Sequence, residues 1–292
     1  QLEDDRNDEF IRKYLLNDGV MEEPARERYK LWPSITDRRA FVSLIDPAVD
    51  VSDIEGLDEK DDLVGKLATT AHAAFRSRIL RHVTAGGSYA EEQLEVLFEA
   101  LKEGLAVVSI ELEGGDDPQT IFETLNSRGV ALSAADLLRN FIFQRAKGLG
   151  QSESTLEIDK LYEKHWLPLD RAFWSQPASR GRQTRARLDW MLTDHLSMFI
   201  GDVVSVESLF PNYRKGSLHT APFDSVYEEL AAISATAAVE QRLFVPQAGD
   251  PVGRFGQMAD AFDVSTAMPL AIYLATEPTV APRLAEAFAA LE

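Results

Sequence analysis

Residues 105–147 read LAVVSIELEGGDDPQTIFETLNSRGVALSAADLLRNFIFQRAK. Within Leu105 to Leu112, Val107, Val108 and Ile110 are β-branched, Ser109 and Glu111 alternate with apolar neighbours, and Gly114-Gly115 ends the run; this is a strand signature. A lone strand can neither satisfy its backbone groups nor bury two faces, so it needs a partner. No other segment offers a convincing one. The strand is therefore expected to belong to a sheet largely outside this chain, or to pair with a weaker strand within it.

Outward from that run the spacing is helical. Phe10 to Leu16 is periodic and stops at Asn17-Asp18-Gly19, and Ser34 to Asp46 repeats the pattern with Ile35, Phe41, Leu44 and Ile45. Tyr29 to Pro33 reads as an extended connector, because a proline pushes the preceding residue from helical angles. A longer helix runs from Asp61 to Thr84 and closes at Gly86-Gly87. Ser88 to Glu91 has capping-box spacing for a helix ending at Gly104, and Ser154 to Glu157 has it for one running through Trp166. Thr184 to Ile200, Phe223 to Val239, Gly256 to Phe262 and Pro282 to Leu291 read as helices. So do Val206 to Tyr213 and Thr266 to Ala275, with Pro211 and Pro269 as breaks or kinks. Gln176 to Gln183 and Pro246 to Arg254 read as loops. The fold class is mainly α: a multi-helix bundle with one strand at about 105–112. It divides into an N-terminal helical segment (1–104), the strand plus motif (105–147) and a C-terminal bundle (148–292).

The composition excludes several classes. The chain of 292 residues is 45% hydrophobic, enough for a sizeable core, and holds no cysteine, so disulfides and thiolate metal sites are ruled out. No apolar run reaches the length of a membrane span, and QLEDDRNDEF is no signal peptide; a cytoplasmic location fits. A net charge of −18 opposes backbone-driven DNA binding by the chain as a whole. Local reversals occur at Arg76, Arg78, Arg81 and His82, and at Arg180, Arg182, Arg185 and Arg187. Such clusters are usually solvated faces or partners of nearby acids; the second is retained as a candidate DNA contact.

Much of the central motif is explained by folding alone. Asp117-Pro118 starts a helix, Ile121, Phe122 and Leu125 give its apolar face, and Gly129 suits a left-handed end. Ser133 caps the next helix with Asp136 three residues on, Leu132 and Leu137 hold staple positions, and Leu137, Leu138, Phe141 and Ile142 face inward. That account omits Glu123, Asn126, Arg128, Arg139 and Asn140. The two asparagines are poor helix formers, and arginine forks suit phosphate or carboxylate. Two readings stay open: an internal hydrogen-bond network, or a polar wall facing a ligand beside the missing sheet.

Phe122 to Gly129 (FETLNSRG), followed by Leu132-Ser133, Asp136-Leu137-Leu138 and Asn140, resembles the signature of the GmrSD-type modification-dependent restriction proteins and their relatives, the SspE effectors among them. Weaker similarity extends to Arg28 to Pro33 with Asp37-Arg38, and to Val264 to Leu270. The resemblance implies a bacterial anti-phage effector. Its N-terminal part is a ParB/sulfiredoxin-like domain with a DGQQR motif and nucleoside-triphosphate hydrolysis, GTP being one candidate, with Mg2+. A helical region and often a His-Asn-His nuclease domain follow. This sequence has no DGQQR, and its five histidines lack the nuclease spacing. It therefore reads as the central helical region, completing the nucleotide-binding domain and linking it to the nuclease. Glu123, Asn126, Arg128, Asp136, Arg139 and Asn140 are then the nucleotide- or phosphate-facing candidates, and no residue is assigned a catalytic role. The chain itself carries no cofactor or metal site in this reading. Its partners are the remaining domains of the same polypeptide and, through them, modified DNA; self-association is open. The rival reading is a non-catalytic helical scaffold for a protein partner.

Other chemistry is weaker. Asp194-His195 and Glu163/His165 are too close along a helix to face each other. Asp4-Asp5 and Asp58 to Asp62 lack the glycine and alternating ligands of a calcium loop. Gly86-Gly87-Ser88 lacks the lysine of a phosphate loop, and no Gly-x-Ser-x-Gly elbow occurs. Trp166, Phe173 and Trp174 read as core rather than as a base-stacking platform.

Overall fold

The structure is a computed structural model that describes residues 12–22, 24–54, 66–84, 88, 90–106, 133–148, 155–219 and 223–291. The chain divides into two compact units, Gln1–Glu111 and Leu112–Glu292.

In the first unit, Leu16 and Tyr29 form an antiparallel bridge, with Asn17 N donating to Arg28 O (2.7 Å) and Lys30 N to Leu15 O (3.0 Å). The connector expected at Tyr29–Pro33 is extended for a structural reason: Tyr29 and Trp32 stack at 5.8 Å, and Tyr29 is buried with Leu16, Val42 and Ile54. Helix α1 (Arg38–Ile45) lies against them, and the Arg38 guanidinium sits 4.8 Å above the Trp32 ring. Buried Asp46 pairs with Arg28 at 2.8 Å. Helices α2 (Lys66–Val83) and α3 (Glu91–Gly104) follow. The end at Gly104 is as expected, but the start is not: Ala90 occupies the cap without a side-chain bond, so Ser88 does not serve there. After α3, Leu105 is extended. Residues 107–112 of the expected strand lie outside the described residues, as do 113–132 of the motif.

The second unit begins for description at α4 (Ala134–Gly148) and α5 (Thr155–Leu161), the latter continuing through a π-helical turn, Tyr162–Trp166. Then come the strands β1 (Pro177–Arg180) and β2 (Gln183–Ala186), and helices α6 (Arg187–Ile200), α7 (Leu209–His219), α8 (Val226–Phe244), α9 (Pro251–Ala261), α10 (Met268–Thr276) and α11 (Leu284–Leu291). Mainly α is the observed class. Helix α8, 19 residues long, spans two cores. Its first half, with Leu230 and Ile233, meets Leu138 and Ile142 of α4, Met191 and Leu192 of α6, and Trp166. Its second half, with Val239 and Leu243, meets Phe255 of α9, Ile272 of α10 and Phe288 of α11. Gly256 lets α9 approach closely: a Cβ there would stand 2.2 Å from the Leu243 carbonyl oxygen.

Several expectations are corrected. The stretch 176–183, read as a loop, with α6 starting at Thr184, is an antiparallel hairpin in which Arg180 pairs with Gln183, and α6 starts at Arg187. Gly181, φ +58°, takes the first position of the two-residue turn, where glycine alone is free of strain. Among the described residues, this hairpin is the only sheet, so a strand at 105–112 is not the sole strand of the chain. Pro211 and Pro269 break nothing. Both lie in the first turn of their helices, where a missing N–H is no loss. The loop read from Pro246 ends at Asp250, whose side chain accepts from Val252 N (3.1 Å) and starts α9 with Pro251.

Candidate functional site

Helix α4 carries the second half of the central motif. Its start is the expected capping box: Asp136 N donates to Ser133 Oγ (3.1 Å), and Ser133 N donates to Asp136 Oδ2 (3.4 Å). A second carboxylate, on α6, also serves this end, with Ala135 N donating to Asp189 Oδ1 at 3.3 Å. Both acids suit the positive end of the helix dipole. The inner face, Ala135, Leu138, Ile142 and Ala146, is buried. Farther along, Arg145 pairs with buried Glu229 of α8, which also accepts from the Tyr213 hydroxyl of α7. Burial drives the Tyr213 hydroxyl above its ordinary range and lowers the Arg145 guanidinium. These bonds lock α4 into the bundle.

The outer face holds three sequence-nominated residues together. Arg139 lies 3.1 Å from Asp136 and 3.8 Å from Asp170, while Asn140 is exposed. The Asp170 carboxyl is raised by burial against the opposing hydrogen bond from Tyr162 and the charge of Arg139. Glu123, Asn126 and Arg128 lie outside the described residues.

The four nominated arginines of 180–187 do not share a face. Arg182 is exposed at the hairpin turn, and Arg185 pairs with Glu207 at 3.4 Å. Arg187 lies over the rings of Phe173 (4.4 Å) and Phe244 (5.0 Å). Arg180 turns inward over Trp190, 5.0 Å from the ring centroid, and its Nη1 donates to Asp194 Oδ2 at 2.6 Å. Its Nη2 stands 3.6 Å from Glu240 Oε1, too long for a hydrogen bond. Asp194 and Glu240 are both fully buried in a cluster that sequence reasoning missed, because its members come from β1, α6 and α8 with no local signal. Burial pushes both carboxyls up. Glu240 rises further because Asp194 stands beside it, and Arg180 holds Asp194 down. Of the two carboxyls, Glu240 is pushed further toward its protonated form, and Asp194 holds the hydrogen bond from Arg180.

Asp194 and His195 face different neighbours, as adjacent helix positions require. His195 bonds through Nδ1 to Thr236 Oγ1 at 2.8 Å, and burial lowers its pKa to about 3. His165 is likewise a core residue, bonded to Ser234 at 2.9 Å. Trp166 and Trp174 are core. Two cavities flank Arg180: one of about 470 Å3 between α6 and α10, bounded by Trp190, Asp194 and Tyr273, and one of about 420 Å3 bounded by Arg187, Glu240 and Phe244. No helix of the described residues is long and apolar enough to cross a membrane.

A mainly helical unit carrying one end of a polar motif is the setting in which the family assignment falls. Residues 7–143 match the model of the GmrSD restriction endonuclease N-terminal domain, which assigns that region to the GmrSD-type restriction family. The match takes in the whole FETLNSRG–DLLRN motif and ends inside α4. No curated protein and no solved structure matches the chain significantly.

Proposed function

We propose that this chain is the central helical region of a modification-dependent, anti-phage restriction effector. In this reading the strand run and motif complete a nucleotide-binding domain, and the second unit links it to a DNA nuclease domain. The observation that carries the proposal is the position of α4. The family match ends at residue 143, yet the inner face of that helix is core of the second unit, so the motif's outer face and the bundle move together. A nucleotide phosphate would meet the Arg128 and Arg139 forks and the Asn140 amide, with Glu123, Asn126 and Asp136 orienting them. No group of three carboxylate or histidine ligands stands among the described residues. The ligands of a nucleotide-bound Mg2+ would thus come largely from the sheet-bearing part.

The test uses the intact protein. Arg128→Ala and Asn140→Ala, the latter at an exposed position, should each lower nucleoside-triphosphate turnover at least tenfold and weaken phage restriction, with thermal stability unchanged. Wild-type turnover in both variants would overturn the assignment. One observation favours the rival scaffold reading: α2 and α3 expose Leu67, Phe75, Val96 and Leu101, the kind of surface a protein partner covers. Restriction that survives both variants but fails on Phe75→Ala would favour the scaffold.

A further inference from the structure

The cavity behind the hairpin leaves several buried polar atoms without partners. Arg187 Nε and Arg180 Nη2 are buried donors with no hydrogen-bond acceptor, and neither oxygen of buried Glu240 accepts a hydrogen bond, its Oε1 standing 3.6 Å from Arg180 Nη2. All three residues line one cavity of about 420 Å3. Among the described residues Arg187 forms no ion pair; its guanidinium is held by the faces of Phe173 and Phe244. Ring stacking fixes the plane of a guanidinium and leaves its N–H edge for an acceptor. Orphaned buried groups are rare, and a cluster of them around one space calls for an occupant.

The occupant's chemistry follows from the atoms left over. Arg180 is already neutralised by Asp194, so Arg187 supplies the uncompensated positive charge. Asp260 and Asp263 line the same cavity, and Asp263 is engaged by Gly181 N at 3.1 Å. One free positive charge with carboxylates at the margin suits a single negative charge and disfavours a multiply charged chain. We propose that this cavity binds a small oxyanion, a carboxylate or singly charged phosphate group of a free small molecule. Arg187 is the principal ligand, with Arg180 Nη2 completing the donor set. Enclosure behind the hairpin favours a free molecule over a nucleic-acid backbone.

The test is the thermal midpoint of the full chain in sodium acetate, sodium phosphate or a thymidine tetranucleotide, each at ionic strength matched with sodium chloride. Acetate or phosphate should raise the midpoint of the wild type and of Arg182→Met by several degrees. The rise should be absent in Arg187→Met, which keeps the apolar stem on the two rings. If Arg187→Met fails to fold, Arg187→Lys takes its place and should need about tenfold more anion for the same shift. Equal shifts in wild type and the Arg187 variant would overturn the proposal, because they would reflect general salt effects. So would a response to the tetranucleotide without one to acetate or phosphate.

Discussion

Helices α2 and α6 invert each other's pattern. Helix α6 buries Asp189, Thr193, Asp194, His195 and Ser197 alongside its apolar residues, whereas α2 exposes Leu67, Phe75, Ile79 and Leu80 and buries Val83. A helix can bury charge only where the rest of the fold supplies counter-charges and donors. For α6, Arg180, Glu240, Thr236 and Ala135 N do so from three other segments, β1, α8 and α4. A helix that exposes its apolar residues has no such support, and an isolated helix of that length is marginal in water. The second unit contains what its interior needs. Helix α2 of the first unit, inside the family-matched region, does not.

The largest effect that could break this contrast is at Asp194. Asp194→Ala leaves Arg180 facing Glu240 alone, 3.6 Å away, as a partial replacement. Breaking a buried pair costs roughly 3–5 kcal/mol, so Asp194→Ala should fall near the lower end and Asp194→Ala with Glu240→Gln near the upper. Urea unfolding followed by tryptophan fluorescence measures both. Losses below about 1 kcal/mol in both variants would mean that the cluster is not enclosed as described.

His195 gives the next effect, with a sign of its own. Folded His195 takes its proton only near pH 3, and an unfolded histidine near 6.5. Its contribution is complete above 6.5 and is lost as pH falls toward 3, by at most about 1.4 kcal/mol per pH unit. Glu240 slopes the other way. Its raised carboxyl contributes fully below the ordinary glutamate value and loses that contribution as pH rises. His195→Gln should flatten the decline between pH 6.5 and 4 in unfolding titrations; an unaltered decline would place the titrating group elsewhere. Smaller again is Ser133→Ala, which removes the α4 cap bond and should cost about 1 kcal/mol, with Asp189 limiting the loss.

These sites also mark what could be read in advance. The α4 cap was legible because serine and the acid three residues on act locally, and the end of α3 at Gly104 was legible for a similar reason. Asp250-Pro251 carries the same helix-start signal as Asp117-Pro118, but it sits inside a stretch, Pro246 to Arg254, that otherwise reads as loop. The hairpin was illegible: PASR and QTRA have no apolar alternation, and long-range bonds such as Trp190 Nε1 to the Ala178 carbonyl (2.9 Å) help hold it. Arg180 looked like a surface cation because its two acids lie 14 and 60 positions away, on other elements.

The smallest effect tests the other half of the contrast. Phe75 is 65% exposed, and a single exposed aromatic needs no explanation. It stands, however, four residues from Ile79 and eight from Leu67, on one ridge of α2. In this chain alone Phe75→Ala should change stability by less than about 0.5 kcal/mol, as surface substitutions do. In the intact protein, a face covered by a further domain or partner should make the same change cost roughly 3–5 kcal/mol, the range for a buried phenylalanine. Equal small values in both would make α2 a solvated helix and reduce its contrast with α6 to ordinary surface exposure. A large difference would locate on this ridge the surface that the family-matched region needs before it can work.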